Sequence, residues 1–196
     1  MATSITGIGE KLRQRKHAES GFSLLEVLMS MAVLTVGLVS LLGVFGLAMA
    51  STQTSQQDLI AKQLANEALE SVVTARNTSQ VTWDQVNNVA NSGIFLDNAN
   101  PIYKPGADGI VGTADDAVAG EQTLQEPGAD GIFGTADDVY IPLTGYQRTI
   151  VISPVYDSNG NVVAAIRNIN VSVQYYTTQA RLPKTYTLSS LISQYR

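Results

Sequence analysis

The sequence predicts an α+β protein, in which a long N-terminal helix packs on a small antiparallel sheet and a Gly/Asp-rich repeat is inserted between the two. Three observations predict this fold. An uncharged apolar run from Val27 to Ala50 continues without proline into a stripe of alanine and leucine at helical spacing. Strict apolar/polar alternation between Ile169 and Tyr175 is typical of a half-buried strand. A 14-residue unit that starts at Pro105 recurs at Pro127.

The apolar run is long enough to cross a membrane. Its 24 residues rise about 1.5 Å each, which exceeds a hydrocarbon layer of about 30 Å. The basic residues before it favour a cytoplasmic N-terminus and place residues 51–196 across the membrane. These basic residues are Lys11, Arg13, Arg15 and Lys16.

Glu26 is the single charge between residues 21 and 50. A carboxylate in the hydrocarbon core costs about 2–3 kcal/mol or more, so its presence there indicates a function. The alternative is that Glu26 lies at headgroup level and is solvated, in which case the segment is a plain N-terminal anchor.

The residues from Gly21 to Val27 read GFSLLEV. This heptapeptide, behind a basic leader and before a charge-free run, resembles the cleavage and methylation signature of type IV prepilins and type II secretion pseudopilins. The resemblance extends over about residues 10–77 and is closest to minor pilins of the PilV class. It implies a long helix whose apolar part, residues 22–50, serves first as a membrane anchor and then as filament core.

The resemblance also implies roles for three residues. A prepilin peptidase would remove the leader, residues 1–21, by cutting between Gly21 and Phe22, and would methylate the new amino group of Phe22. Glu26 would pair with the Phe22 amino group of a neighbouring subunit, because a buried carboxylate is tolerable once a cation neutralises it. The implied partners are the peptidase, other pilin subunits and the inner-membrane assembly machinery. The implied location is the inner membrane, with a periplasmic C-terminal domain, and then the pilus surface.

The predicted function is therefore that of a minor pilin and not of an enzyme. A type II secretion pseudopilin and a membrane-anchored, calcium-dependent adhesin or binding module are the alternatives. The chain has no cysteine, and its one histidine, His17, lies in the leader, which removes Ser-His, Cys-His and zinc-site chemistry from the mature chain. Removing four basic and two acidic leader residues takes the net charge from −5 to −7, so no nucleic-acid footprint is evident.

The amphipathic part of the helix, residues 51–77, begins the globular domain. Its apolar positions recur at helical spacing and predict one face that packs on a sheet, with a coiled coil as the less favoured alternative. These positions are Ala61, Leu64, Ala65, Ala68, Leu69 and Val72. Within the remaining head, residues 78–196, Trp83 and Val86 predict a short helical turn, and residues 94–96 predict a strand or an apolar plug in an asparagine-rich loop.

The repeat region, residues 105–140, carries most of the negative charge of the head. Nine acidic residues and one lysine lie between Asp97 and Asp138, which gives this segment a charge of −8. Calcium prefers oxygen ligands such as the aspartates and backbone carbonyls of Gly-rich loops. Calcium is therefore the candidate ion for this segment. No cofactor is predicted to be required. A solvated acidic loop is the alternative. The candidate calcium ligands are Asp108, Asp115, Asp116, Asp130, Asp137 and Asp138.

The C-terminal segment, residues 141–196, predicts three or four antiparallel strands that cover the alanine/leucine stripe. A β-branched run from Tyr146 to Ile152 ends before Pro154, and a last strand is predicted from Tyr186 to Leu191. Between the first two strands, the Asn-Gly pair within residues 157–161 predicts a hairpin turn.

Overall fold

The computed structural model describes residues 21–177 and 183–195. The predicted leader up to residue 20, with His17, lies outside the described residues. The chain divides between Gly46 and Leu47 into two compact units, and helix α1, Leu24–Asn77, contributes residues to both.

The first unit contains the apolar part of α1. All of its described side chains are exposed, and the helix is long and apolar enough to cross a membrane. The hydroxyl groups of this apolar part donate to the carbonyl four residues earlier, as in Ser30 to Glu26 at 2.7 Å, Thr35 to Met31 at 2.7 Å and Ser40 to Val36 at 2.8 Å. Because these hydroxyls bond within the helix, they remain satisfied in surroundings without water.

The second unit begins with the amphipathic part of α1. The predicted stripe is its buried face: Ala61, Ala65, Ala68 and Val72 are completely buried, and Leu64 nearly so. Leu69 is half-buried and packs against the same core. The helix ends in two backbone bonds typical of a Schellman motif, from Gln80 to the Ala75 carbonyl (2.9 Å) and from Ser79 to the Arg76 carbonyl (3.2 Å).

The described residues contain six strands, a short second α-helix and a 3₁₀ helix at Val89–Asn91. In chain order the strands and the short α-helix are β1 (Asn100–Pro101), α2 (Asp116–Ala119), β2 (Thr123–Glu126), β3 (Val139–Pro142), β4 (Tyr146–Tyr156), β5 (Val162–Tyr175) and β6 (Lys184–Ser193). Four strands form an antiparallel sheet in the order β1-β4-β5-β6, and β2 pairs with β3 in a separate hairpin. The predicted α+β class, a long helix packed on an antiparallel sheet, is confirmed.

The core lies between α1 and the inner face of the sheet. Ile169, Val171 and Val173 of β5 are completely buried, as their alternation predicts, and Ile150 and Ile152 of β4 lie beside them. Phe95 is also completely buried, so residues 94–96 form an apolar plug and not a strand of the sheet. The 157–161 turn is as predicted: Gly160 has a φ of +82°, and the Asp157 carboxylate accepts two backbone N–H bonds at 2.8 Å.

Some predicted boundaries were wrong. Strand β4 does not end before Pro154 but continues to Tyr156, with a register shift between Pro154 and Tyr156. A proline is tolerated there because its backbone nitrogen points to the same side of β4 as that of Ile152, whose N–H bonds to the Asn88 side chain and not to β5. No hydrogen bond between β4 and β5 is therefore lost. Strand β6 extends beyond the predicted residues 186–191 at both ends. Residues 82–86 form the predicted short helical turn, since the Val86 N–H donates to the Thr82 carbonyl at 3.3 Å and to the Trp83 carbonyl at 3.2 Å. The β2–β3 hairpin was not predicted.

Asn88 joins the asparagine-rich loop to strand β4. Its side-chain amide donates to the carbonyl of Ile150 at 2.7 Å, and its side-chain oxygen accepts the N–H of Ile152 at 2.7 Å. The side chain thereby pairs with two backbone groups of β4 as a neighbouring strand would. Asn88 is buried, so both backbone groups depend on it for a partner.

We expect Asn88→Ala to lower the free energy of unfolding of the second unit by about 2–4 kcal/mol, because it leaves a buried donor and a buried acceptor unpaired. Urea denaturation of residues 51–196 measures the change. Asn98→Ala, at an exposed position of the same loop, is the matched control and should change stability by less than about 0.5 kcal/mol. Equal stability of the two variants would contradict the role of Asn88.

Candidate functional site

The predicted processing residues lie where the described part of the first unit begins, just before α1. Gly21 precedes α1 in irregular structure, with no neighbouring atom within 4 Å of the place where a Cβ would lie. The Phe22 side chain is 82% exposed. Glu26 lies in the first turn of α1, where a carboxylate interacts favourably with the helix N-terminus. Gly21 and Phe22 thus lie in an open backbone segment that leads directly into a helix.

The two copies of the repeat in the second unit adopt the same backbone conformation up to the first of their adjacent aspartates, after which the first copy continues into α2 and the second into β3. Gly109 and Gly131 both have a φ of +70°, while Gly112 and Gly134 have values of +92° and +87°. Glycine adopts such φ values without the steric cost of a side chain. Each copy is therefore a preformed module, which we call module 1 (residues 105–118) and module 2 (residues 127–140).

Equivalent hydrogen bonds hold each module together. The second of the two adjacent aspartates accepts a glycine N–H at 2.6 Å, from Gly112 to Asp116 and from Gly134 to Asp138. The first aspartate of each module accepts the N–H two residues later, at 2.8 Å in module 1 and 2.9 Å in module 2. A threonine hydroxyl donates to the remaining aspartate at 2.6 and 2.7 Å. Because these bonds lie within the modules, the loop geometry does not require a surface to pack on.

Module 1 also brings its three carboxylates together. One oxygen from each of Asp108, Asp115 and Asp116 lies within 4.8 Å of the others. Hydrogen bonds from the backbone and from Thr113 occupy these carboxylates in part. Each carboxylate oxygen has two lone pairs, so coordination of a cation is compatible with those bonds. Among the described residues, this is the group of three acidic side chains with the spacing that a metal ion needs.

Module 1 is packed into the core of the head. Ile110 and Val111 are each only 2% exposed, and the Val111 N–H donates to the Ser71 hydroxyl of α1 at 2.9 Å. Gly112 lies directly against the Ile150 side chain of β4, where a Cβ would clash. Its carbonyl accepts the Leu96 N–H at 2.9 Å. The module therefore contacts the helix, the sheet and the apolar plug.

Arg148 lies beneath module 1 and is 5% exposed. Its guanidinium donates to the Leu64 carbonyl and to the Glu67 carboxylate, both at 3.4 Å. Burial lowers the pKa of Arg148, whereas the negative charges of Glu67 and Asp116 oppose this shift. Burial also raises the pKa of Asp116, and the backbone N–H groups of its module together with the charge of Arg148 offset that rise in part. Arg148 is thus a buried cation that pairs with Glu67 of α1 and lines the same small cavity as Asp116, with which it forms no ion pair.

Module 2 has none of this packing. Ile132 is 60% exposed and Phe133 63%, although they occupy the positions of Ile110 and Val111. The module projects from the β2–β3 hairpin, where Gln125 of β2 donates to the Asp138 carboxylate. Burial raises the pKa of Asp138, but the hydrogen bonds from Gln125 and from the module backbone outweigh it and lower this pKa overall.

The predicted calcium ligands therefore fall into two places, of which module 1 is docked in the head and module 2 is exposed. The sequence analysis assigned no role to Arg148. The sequence does contain a signal that Arg148 is buried, because it occupies the same inward-facing alternation on β4 as Ile150 and Ile152. A charged residue at such a position needs a buried partner of opposite charge.

The sequence comparisons agree with the geometry of the first unit. Residues 16–42 match a family model described as the prokaryotic N-terminal methylation motif. The match supports a type IV pilin-like or pseudopilin protein, made as a prepilin, and points to a structural role. With the exposed apolar helix it fits membrane anchoring. A motif of this kind implies processing by a prepilin peptidase and association with pilin subunits and the membrane assembly machinery. No curated protein and no solved structure gives a significant match to the chain.

We expect Arg148→Met to lower the free energy of unfolding of residues 51–196 by about 3–5 kcal/mol, since it leaves two carboxylates without their buried cation. Chemical denaturation provides the measurement. Lys184→Met is the control, because Lys184 forms the exposed ion pair with Asp58 at 3.2 Å and its loss should cost less than about 1 kcal/mol. Similar losses in both variants would show that Arg148 does not couple module 1 to α1.

Proposed function

We propose that the chain is a minor pilin of the PilV class, which modifies or primes the assembly of a type IV pilus. The observation that carries this proposal is the methylation motif at residues 16–42, placed where an exposed apolar helix begins. An α+β head behind such a helix suits a subunit that packs its helix into a filament and presents its head to solvent. A type II secretion pseudopilin has the same N-terminal features and is the alternative.

In this proposal the processing residues act in sequence. The prepilin peptidase cuts between Gly21 and Phe22 on the cytoplasmic side and then methylates the Phe22 amino group. The head waits on the periplasmic side of the inner membrane until the subunit leaves the bilayer for the pilus at the cell surface. In the filament Glu26 pairs with the Phe22 amino group of a neighbour. This pairing sets the axial register, because a buried carboxylate without its cation would be strongly destabilising.

We expect Gly21→Val to block cleavage. A peptidase must accept an extended, uncrowded backbone at this site, and valine adds a β-branched side chain where the chain is now open. Mass spectrometry of the N-terminal peptide from membranes and from sheared pili provides the test, with a methylated Phe22 expected for the wild type. A Gly21→Val chain that still begins at Phe22 would contradict the prepilin assignment.

Glu26→Gln separates assembly from processing in the same experiment. The variant keeps the side-chain shape, and removing the charge makes membrane insertion no harder. We expect a cleaved chain of normal abundance in the membrane and reduced incorporation into filaments. Incorporation equal to that of the wild type would mean that Glu26 is a solvated headgroup residue. Co-purification with the major pilin, as opposed to secretion components, distinguishes the pilin from the pseudopilin.

Calcium binding by the modules is a second proposal, favoured by the convergence of Asp108, Asp115 and Asp116. Their carboxylates, with backbone carbonyls of the Gly-rich loop, would coordinate calcium at about 2.3–2.6 Å. The equivalent ligands of module 2 are Asp130, Asp137 and Asp138. In such a role the head would be a calcium-dependent binding module carried on the same membrane helix.

We expect calcium, and not magnesium, to raise the melting temperature of residues 51–196 in a concentration-dependent manner, since a ligand that binds only the folded state stabilises it. The double variant Asp108→Asn with Asp130→Asn should lose the calcium-specific shift. The absence of both calorimetric heat and a melting shift at millimolar calcium would identify the modules as solvated loops. That result would leave the pilin proposal as it stands.

A further inference from the structure

The two modules share one sequence pattern and one internal hydrogen-bond network but have opposite environments. In module 1 the apolar pair is buried within this chain, whereas in module 2 the pair Ile132 and Phe133 faces solvent. The hairpin strand that follows adds two more exposed apolar side chains, Val139 (52%) and Tyr140 (59%). Module 2 therefore presents a preformed apolar surface that nothing in the described part of the chain covers.

Module 1 shows which chemistry binds such a module. Its apolar pair enters a slot beside Ile150 and Phe95. A hydroxyl group of a helix, Ser71, accepts the backbone N–H of the second apolar residue. The guanidinium of Arg148 supplies the positive charge that faces Asp116. An apolar slot, a hydroxyl acceptor and a buried cation together hold the docked copy.

Module 2 has the equivalent groups in a different setting. Its aspartates correspond one for one to those of module 1, and among the described residues neither set forms an ion pair with lysine or arginine. The charge of Arg148 nevertheless offsets in part the burial that raises the pKa of Asp116, whereas no basic side chain acts in this way on the pKa of Asp138. The segment from Asp97 to Asp138 carries −8. A surface that covers Phe133 should therefore be positively charged at the position that Asp138 faces.

We propose that module 2 is a docking element for another protein, whose surface offers an apolar slot flanked by arginine or lysine. Phe133 enters this slot, and the basic side chain pairs with Asp138 as Arg148 faces Asp116 in module 1. The inference rests on the comparison of the two modules and does not depend on the pilin assignment.

The slot that holds module 1 is not available in a second copy of this chain, because that copy's own module 1 fills it. We call the slot that holds the apolar pair of module 1 its seat. Val111 fills this seat and is only 2% exposed. The Ile150 side chain closes the seat on one side, where it lies against Gly112. A phenylalanine in the place of Val111 would overpack that seat and force neighbouring side chains out of position. The partner must therefore have a wider slot than the one this chain provides.

Site-specific photo-crosslinking of the full chain in the cells that produce it tests the proposal. A photoreactive phenylalanine analogue replaces Phe133, and the same analogue at Val162 or Leu191, which are 56% and 65% exposed, serves as the control. We expect one discrete product at position 133 and none at the controls. In that product, the crosslinked peptide of the other protein should contain an arginine or lysine.

The requirement for a negative charge at Asp138 is tested in the chain that carries the photoreactive residue at position 133. Asp138→Asn should lower the yield of the product about tenfold, the loss expected for one charge-assisted hydrogen bond, whereas Asp157→Asn, in the exposed turn at 157–161, should leave the yield unchanged. Equal melting temperatures of the variants verify that the head remains folded. The proposal is overturned if position 133 gives no product above the controls, if it reacts only with lipid or a second copy of this chain, or if the yield does not depend on Asp138.

Discussion

The packing of the alanine face of α1 against the inner face of the sheet is the constraint on which the rest of the head depends. Ala61, Ala65 and Ala68 are completely buried, and so are Ile169, Val171 and Val173 of the same core. Larger residues at the alanine positions would overpack this core. The second unit thereby obtains its core from part of the same helix whose other part is apolar on every side.

The first unit follows a different physical rule. Its described apolar side chains are all exposed, and the hydroxyl groups of Ser30, Thr35 and Ser40 bond to their own helix, which fits surroundings of lipid or other apolar helices. Glu26 is the single charge in the described part of this unit. A carboxylate in such surroundings needs a cationic partner, and the proposed pairing with the Phe22 amino group of a neighbour would supply it. A single carboxylate can therefore determine register in an interface that is otherwise nondirectional.

Arg148 connects the helix, the sheet and module 1. A buried guanidinium is costly unless carboxylates and carbonyls satisfy it, and here the Glu67 carboxylate and the Leu64 carbonyl of α1 do so. Asp116 of module 1 lies near enough for its charge to oppose the lowering of the Arg148 pKa. This polar centre fixes where module 1 lies on the head. It also explains how an acidic loop can be packed against an apolar core, since the negative charge of Asp116 is balanced inside the protein.

Local patterns in the sequence determined the processing motif and much of the secondary structure of this protein. The sequence alone contains the GFSLLEV motif. It also predicts the uninterrupted helix to Asn77 and the half-buried strand from Ile169 to Tyr175, because both depend on the pattern of nearby residues. Which module is buried and which is exposed could not be predicted in this way, because their sequences are nearly identical and their internal hydrogen bonds form the same loop. Only the tertiary structure decides that Ile110 is buried and Ile132 exposed, since Arg148, Ser71 and Ile150 form a seat that a single module can occupy.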